Sequence, residues 1–312
     1  MSFEPAYLSL LRSGELKRRV DAAYQRLEEC DICPRRCGVN RHQGSEGAVC
    51  RTAERAVVTS YSPHFGEEDP LVGDGGSGTL FFAWCNLKCQ YCQNADISQL
   101  GHGQEVDPSE LATMMLRLQH MGCHNINFVS PTHVVPQILA AVLIAAEAGL
   151  RLPLVYNTGG YDSLATLALL DNVFDIYMPD MKYSSETSAR RLSKVKDYPR
   201  INQAAVAEMH RQVGDLCVDE RGIAQRGLLV RHLVLPGGLA GTADIVRFLA
   251  NQVSPDTYIN IMDQYRPCYK AHQIPELNRR ITSQEYAEAV HLAREAGLHR
   301  LDQRRQRLVL WL

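Results

Sequence analysis

The chain has 312 residues, of which 45% are hydrophobic and 22% charged, so it holds enough apolar material for one large α/β domain, alone or with a small appendage. Its 33 Lys and Arg against 35 Asp and Glu leave a net charge of -2, which excludes the global bias expected of a nucleic-acid binder or a protein of acidic membrane surfaces. Neither the opening Met1-Ser2-Phe3-Glu4-Pro5 nor the longest apolar stretch, Ile138 to Leu150, reads as a secretory signal or a membrane span, so the expected location is the cytoplasm.

Residues 5–29 carry apolar residues at helical spacing (Leu8, Leu11, Leu16, Val20, Ala23, Tyr24, Leu27) and predict one amphipathic helix. A loop rich in Cys, Gly and Arg follows from Cys30 to about Arg55, and residues 1–60 are expected to form an N-terminal extension to a core spanning 61–312. From residue 79 the chain alternates short apolar runs with helical segments. Strands are predicted over 79–84, 125–129, 152–156, 174–178, 228–235 and 257–262. Helices are predicted from Asp107 to about Gly122, with Asp107 and Glu110 forming a capping box, then over 135–148, 163–171, 202–217 and 242–252. A last helix should start at the Thr282–Glu285 box and run to about Ala296, ahead of an apolar tail, Leu308–Leu312, that would seal the core or meet a second subunit. Six strands alternating with helices predict the α/β class, as a parallel sheet rolled into a partial (β/α)6 barrel with functional groups at the carboxyl ends of its strands.

Ten cysteines need a reason, and in a reducing compartment metal ligation or burial is a better one than disulfides. Seven fall into two groups, while Cys123, Cys217 and Cys268 read as small core residues. In Trp84-Cys85-Asn86-Leu87-Lys88-Cys89-Gln90-Tyr91-Cys92, three thiols can hold three corners of a cubane and leave one metal vertex open, the mark of a catalytic site. The plainer alternative is a zinc ion that borrows His102 as a fourth ligand.

This C-x3-C-x2-C spacing at Cys85, Cys89 and Cys92, with aromatic Tyr91 before the last cysteine, resembles the signature of the radical S-adenosylmethionine (SAM) superfamily. The resemblance implies a TIM-like radical SAM barrel. It also implies a 4Fe-4S cluster that passes an electron to SAM and generates a 5′-deoxyadenosyl radical. The likeness runs from Phe65 to Pro267 and is greatest to pyruvate formate-lyase activating enzyme and its homologues, the activases of glycyl radical enzymes.

Four strand ends carry that likeness further. Asn127-Phe128-Val129-Ser130-Pro131-Thr132-His133 stands where the family has a Gly-Gly-Glu turn on the cofactor's amine, which points to Thr132, with His133 as a substrate or core group. Asn157 and Thr158, in a turn similar to the family's Thr-Asn-Gly-Tyr, are implied contacts to the cofactor's ribose or carboxylate. Asp180 and Lys182 match the Asp-x-Lys element, and Arg231 opens an Arg-x4-Pro-Gly strand as a carboxylate anchor. Asn260–Pro267 supplies a polar strand end facing substrate, whereas Pro63–Glu68 and the glycines after it read as tight turns.

By this resemblance the substrate is a backbone glycine of a partner enzyme, and the electron comes from an external donor such as flavodoxin or ferredoxin. A small metabolite or another protein residue is the alternative within the same chemistry; a non-catalytic zinc or iron–sulfur scaffold is the alternative outside it. The first cysteine group, Cys30-x2-Cys33-x3-Cys37-x12-Cys50, has enough thiols to close a coordination sphere. A second 4Fe-4S cluster, a zinc ion and no metal all fit the spacing, and the activases' auxiliary clusters follow the radical motif rather than precede it.

Overall fold

Two helices rather than one open the chain in the computed structural model, which describes residues 3–302; the tail Leu308–Leu312 lies outside the described residues. Helix α1 (Tyr7–Arg12) ends at Ser13, and α2 (Glu15–Gln25) starts after Gly14, whose φ of 73° no continuous helix accommodates. The apolar rhythm itself carries the break, since Leu11 and Leu16 are five residues apart. After the cysteine loop comes β1 (Ala56–His64), a strand hidden in the sequence by its polar Thr59-Ser60-Tyr61-Ser62 run, then a short helix α3 (Asp69–Val72). The chain continues through β2 (Ser77–Phe82), α4 (Ala95–Ser98), β3 (Gln104–Val106), α5 (Pro108–His120), β4 (Ile126–Val129) and α6 (Val135–Glu147). Next come β5 (Leu154–Thr158), α7 (Leu164–Leu170), β6 (Ile176–Pro179), the unpredicted α8 (Glu186–Ser193) and α9 (Tyr198–Val213). The described chain ends with β7 (Cys217–Val218), β8 (Ala224–Leu233), α10 (Thr242–Phe248), β9 (Tyr258–Met262) and α11 (Ser283–Glu295).

Helix α9 starts four residues before its predicted bound because Pro199, which cannot extend a helix at its amino side, is well placed in a first turn. Both predicted capping boxes form: Asp107 accepts from Ser109 and Glu110 at the head of α5, and Thr282 accepts from Glu285 at the head of α11.

The six predicted strands pair in parallel in the order β2-β4-β5-β6-β8-β9. Antiparallel β1 and β3 extend one edge, and β7 pairs with β8. The sheet stays open, so the barrel is partial. Alternation along each strand sorts residues to two faces. Leu154, Tyr156, Tyr177, Leu228 and Val230 join the large core under the helices. Val155, Ile176, Met178 and Leu229 face the concave interior, where Leu71 of α3 fills the floor. Helices α1 and α2 lie against α6, and Tyr7, Leu16, Ala23 and Leu27 belong to the same large core. The first helix is tied down by the Ala6 amide, which donates to Asp175 at 3.0 Å, and by the Tyr7 hydroxyl, which donates to the Leu152 carbonyl at 3.1 Å. No helix among the described residues is long and apolar enough to cross a membrane.

The turn after β5 brings two strand ends into contact and has room for glycine alone. Gly160 has a φ of 74°, and a β-carbon there would overlap the Asp180 carbonyl oxygen and the Asn202 amide. Gly160→Ala should therefore lower the unfolding free energy by at least about 2 kcal/mol, measured by urea denaturation, whereas Gly149→Ala, at a helix end with no neighbour within 4 Å, should cost less.

Candidate active site

The loop after β2 turns abruptly at Trp84, a non-glycine residue with a φ of 67°, and then carries the three thiols. Its backbone is latched to the end of α8: the Lys88 amide donates to the Ser193 carbonyl at 3.2 Å and the Gln90 amide to the Leu192 carbonyl at 2.7 Å. Each sulfur has a polar companion. The Leu87 amide donates to Cys85 Sγ at 3.4 Å, while Cys89 and Cys92 lie 3.0 Å from the hydroxyls of Ser193 and Ser98. Ser193 in turn meets the Tyr183 hydroxyl at 2.7 Å, and Tyr183 donates to Tyr91 at 2.7 Å, so Tyr91 buries its ring behind the loop. Burial pushes the Cys85 thiol up to about 12, reinforced by Cys89, and burial raises Cys89 too, against the pull of the Lys182 ammonium. Such thiols stay protonated unless a metal displaces the proton.

Beside this loop the parallel register aligns four of the predicted polar residues. Asp180 bridges to Arg231 across β6 and β8, and Asn157 sits one strand over. Arg231 Nε donates to Asp180 Oδ1 at 2.9 Å and Nη2 to Asn157 Oδ1 at 2.6 Å; Lys182 Nζ donates to Asp180 Oδ2 at 2.5 Å. Burial pushes the Asp180 carboxyl up, but the Arg231 and Lys182 cations overcome it and hold the group below its ordinary range. Burial likewise works against the Lys182 ammonium, and Asp180 with Cys89 more than restores it.

Thr132 and Thr158 go elsewhere, because Thr158 follows Asn157 on the strand and points to the opposite face. Both hydroxyls close on buried Asp162, Thr132 to Oδ1 and Thr158 to Oδ2, each at 2.7 Å, and Tyr156 adds a third bond at 3.0 Å. Burial raises the Asp162 carboxyl, and the three hydroxyls partly offset the rise. His133 lies buried under the cysteine loop, with Nε2 3.0 Å from the Ala83 carbonyl and its pKa lowered to about 3 by desolvation, so it is a neutral strut. His102 is an exposed residue.

Sequence reasoning missed the acidic floor. Of Glu67 and Glu68, read as part of a turn, Glu68 is buried and Glu67 half-buried with its side chain 9% exposed. Glu67 stands 3.8 Å from Arg231, and Glu68 Oε1 accepts from Asn260 at 2.8 Å while its Oε2 has no partner. Burial pushes the Glu67 carboxyl up to about 7, with Arg231 pulling the other way. Two adjacent carboxylates just before a proline-started helix were the only available signal. Asn127, also unassigned, pairs in register with Val155 and so faces the interior; both of its amide atoms are buried and unpartnered. An orphaned carboxamide on that floor suits a site that takes a polar ligand or water.

The four N-terminal thiols also gather. Cys30, Cys33 and Cys50 are buried and Cys37 is half-buried, and burial, reinforced by the neighbouring Cys50, Cys30 and Cys37, pushes the Cys33 thiol up to about 12. Among the described residues no three His, Cys, Asp or Glu side chains stand at the spacing of a single metal ion. Cys123 is buried, Cys268 half-buried and Cys217 exposed, all as free thiols.

Arg231 is the cation that neutralises Asp180 and faces Glu67. Arg231→Met should cost about 3 kcal/mol in urea unfolding at neutral pH, because two buried carboxyls lose their shared partner. Asp180 has a lowered pKa, so its pairing stabilises the protein above the unfolded value near about 4 and is lost as pH falls through the folded value; the gap between variant and wild type should narrow on acidification.

Residues 79–220 match the profile described as "Radical SAM superfamily". Over 301 residues the chain is 33% identical to the uncharacterized protein MJ0674 of Methanocaldococcus jannaschii, covering 93% of this chain and 82% of that one. Among solved structures it is similar to a radical SAM methyltransferase from Sphaerobacter thermophilus (14% identity, 70% of this chain, TM-score 0.47). It is also similar to Streptococcus suis SuiB bound to precursor peptide SuiA (11% identity, 72% of this chain, TM-score 0.46). The chain spans 64% and 47% of the lengths of those two structures. A match that covers the thiol loop and the strand ends at Asn157 and Asp180, together with a relative aligned over nearly the whole chain, settles the assignment: the chain belongs to the radical SAM superfamily.

Proposed function

We propose that this chain is an activating-type radical SAM enzyme, taking one electron from a donor such as flavodoxin or ferredoxin and abstracting hydrogen from a backbone glycine of a partner enzyme. The superfamily implies a 4Fe-4S cluster and SAM, and the residues present suit both. One buried and two half-buried thiols supply three corners, serine hydroxyls and a backbone amide stand ready to bond thiolate sulfur, and Asn127 offers an unpartnered amide inside the barrel. The observation that carries the reading is the Asp180–Lys182–Arg231–Asn157 network beside an incomplete thiol set. Held by Cys85, Cys89 and Cys92, a 4Fe-4S cluster would supply one-electron reductive cleavage of SAM and, through it, hydrogen-atom abstraction from substrate carbon.

The chain's own contribution is positional. Cys85, Cys89 and Cys92 would hold the cluster and leave one vertex for an amino acid-like ligand. Lys182 and Arg231 place two cations where a carboxylate would dock, and Asp180 keeps both oriented. Thr132 and Thr158 serve the site through Asp162, by fixing the turn that carries Asn157. The Asp-x-Lys and Arg-x4-Pro-Gly elements favour a glycine substrate, since these are the features shared with the activases.

Anaerobic protein reduced in the presence of SAM should release 5′-deoxyadenosine, and Cys89→Ala should reduce release to background. Absence of nucleoside from iron-loaded wild type would refute radical chemistry here. A glycyl signal in electron paramagnetic resonance, gained by a co-expressed partner, would support the glycine assignment; nucleoside release with a small molecule and no such signal would replace it with a metabolite substrate.

A further inference from the structure

A cluster of unneutralised cations surrounds the N-terminal cysteines. Arg41 is 1% exposed, yet it donates only to the carbonyls of His133 at 2.7 Å and Ala53 at 2.9 Å and to Cys30 Sγ at 3.9 Å. Arg35 donates to the Asn86 carbonyl at 2.8 Å and the Lys194 carbonyl at 2.9 Å, and its remaining nitrogen is buried without a partner. Arg51 rests over Trp84, and Lys88 stands in the radical loop between Cys85 and Cys89. Among the described residues none of these four cations has a carboxylate within 4.0 Å, although the chain has Asp and Glu in slight excess over Lys and Arg. The buried Arg41 guanidinium needs an anion, and among the described residues the group within its reach that can carry negative charge is the Cys30 sulfur.

The loop is also built to receive charge on sulfur. The amide of Arg35 donates to Cys33 and that of Val39 to Cys37, the same two-residue offset by which Leu87 donates to Cys85 in the radical loop. Left-handed backbone sits beside the ligands, at Arg36 and Gly38 around Cys37 and at Arg51 after Cys50, as it does at Trp84 before Cys85. Two loops with one local design argue for one kind of group. A tetrathiolate zinc site would draw its sulfurs to about 3.8 Å apart, from bonds of about 2.3 Å in a tetrahedron. Among the described residues neither loop brings three thiols to single-ion spacing, so the two loops agree in this as well.

We infer that Cys30, Cys33, Cys37 and Cys50 ligate a second 4Fe-4S cluster, coordinatively saturated and lying against the radical loop through Arg35 and Arg41. The four thiols lose their protons on ligation, and their negative charge neutralises the surrounding cations. With no open vertex this cluster binds no SAM. Its position, joined to the radical loop by the Arg35 bond to Asn86, suits one-electron exchange with its neighbour, the electron coming from the same external iron–sulfur or flavin donor.

The test is metal content under anaerobic conditions after reconstitution with iron and sulfide. Wild type should carry about eight irons and about eight sulfides per chain, and no zinc. The triple variant Cys85→Ala, Cys89→Ala, Cys92→Ala should keep about four of each, and its reduced paramagnetic signal should be unchanged by SAM. The quadruple variant with Cys30, Cys33, Cys37 and Cys50 replaced by Ala should keep about four irons with a signal that SAM shifts. Wild type with about four irons and one zinc, or a folded triple variant without iron and sulfide, would overturn the inference. If the variants precipitate, the wild-type stoichiometry decides. The inference leans on the radical reading only for its neighbour's identity: a chain with about eight irons that released no nucleoside would sink that reading and leave this one standing.

Discussion

Asp180 is the point at which the strand ends are held together. Its amide donates to the Thr158 carbonyl at 2.9 Å, its carbonyl accepts from Tyr198 at 2.9 Å and from Asn202 at 3.0 Å, and its carboxylate is shared by Arg231 and Lys182. One residue therefore joins β5, β6, β8 and α9 at the carboxyl edge of the sheet. Removing its charge from water is costly, and only the two cations make it tolerable. The polar face of the site thus depends on a buried electrostatic balance rather than on apolar packing. Apolar packing does the opposite work one layer down, where Leu71, Val155, Met178 and Leu229 close the interior.

What could be read from the chain was whatever is written locally. The capping boxes at Asp107 and Thr282, the alternation of strand and helix and the spacing of Cys85, Cys89 and Cys92 each declare themselves within a dozen residues. What could not be read depends on partners distant in sequence. β1 is polar because it borders the sheet's antiparallel edge, and it becomes a strand only by pairing with β2 and β3. Glu67 and Glu68 look like loop carboxylates until Arg231 and Asn260, more than 160 residues on, bury them. Asn157 and Thr158 are indistinguishable as neighbours in a turn, yet strand alternation sends one into the interior and the other to Asp162. The helix break at Gly14 was legible, in the five-residue gap between Leu11 and Leu16, and a one-helix reading passes over it.

The N-terminal segment is woven into the radical loop's support. Arg35 reaches Asn86, Arg41 reaches the carbonyl of His133, and His133 itself supports Ala83 at the root of that loop. The chain before the sheet therefore buttresses the loop from one side while α8 holds it from the other. Rigidity at that position suits a group whose reactivity depends on the exclusion of water.

The latch between Lys88 or Gln90 and the end of α8 spans about a hundred residues of chain. During synthesis from the amino terminus, all three cysteines emerge long before Leu192 and Ser193 exist to receive those amides. The cradle for the metal is therefore incomplete on any nascent chain that has not yet reached Ser193. Iron delivered earlier would meet a loop of thiols without that support, so maturation has to wait until the ribosome has made α8, in the crossover between β6 and β8.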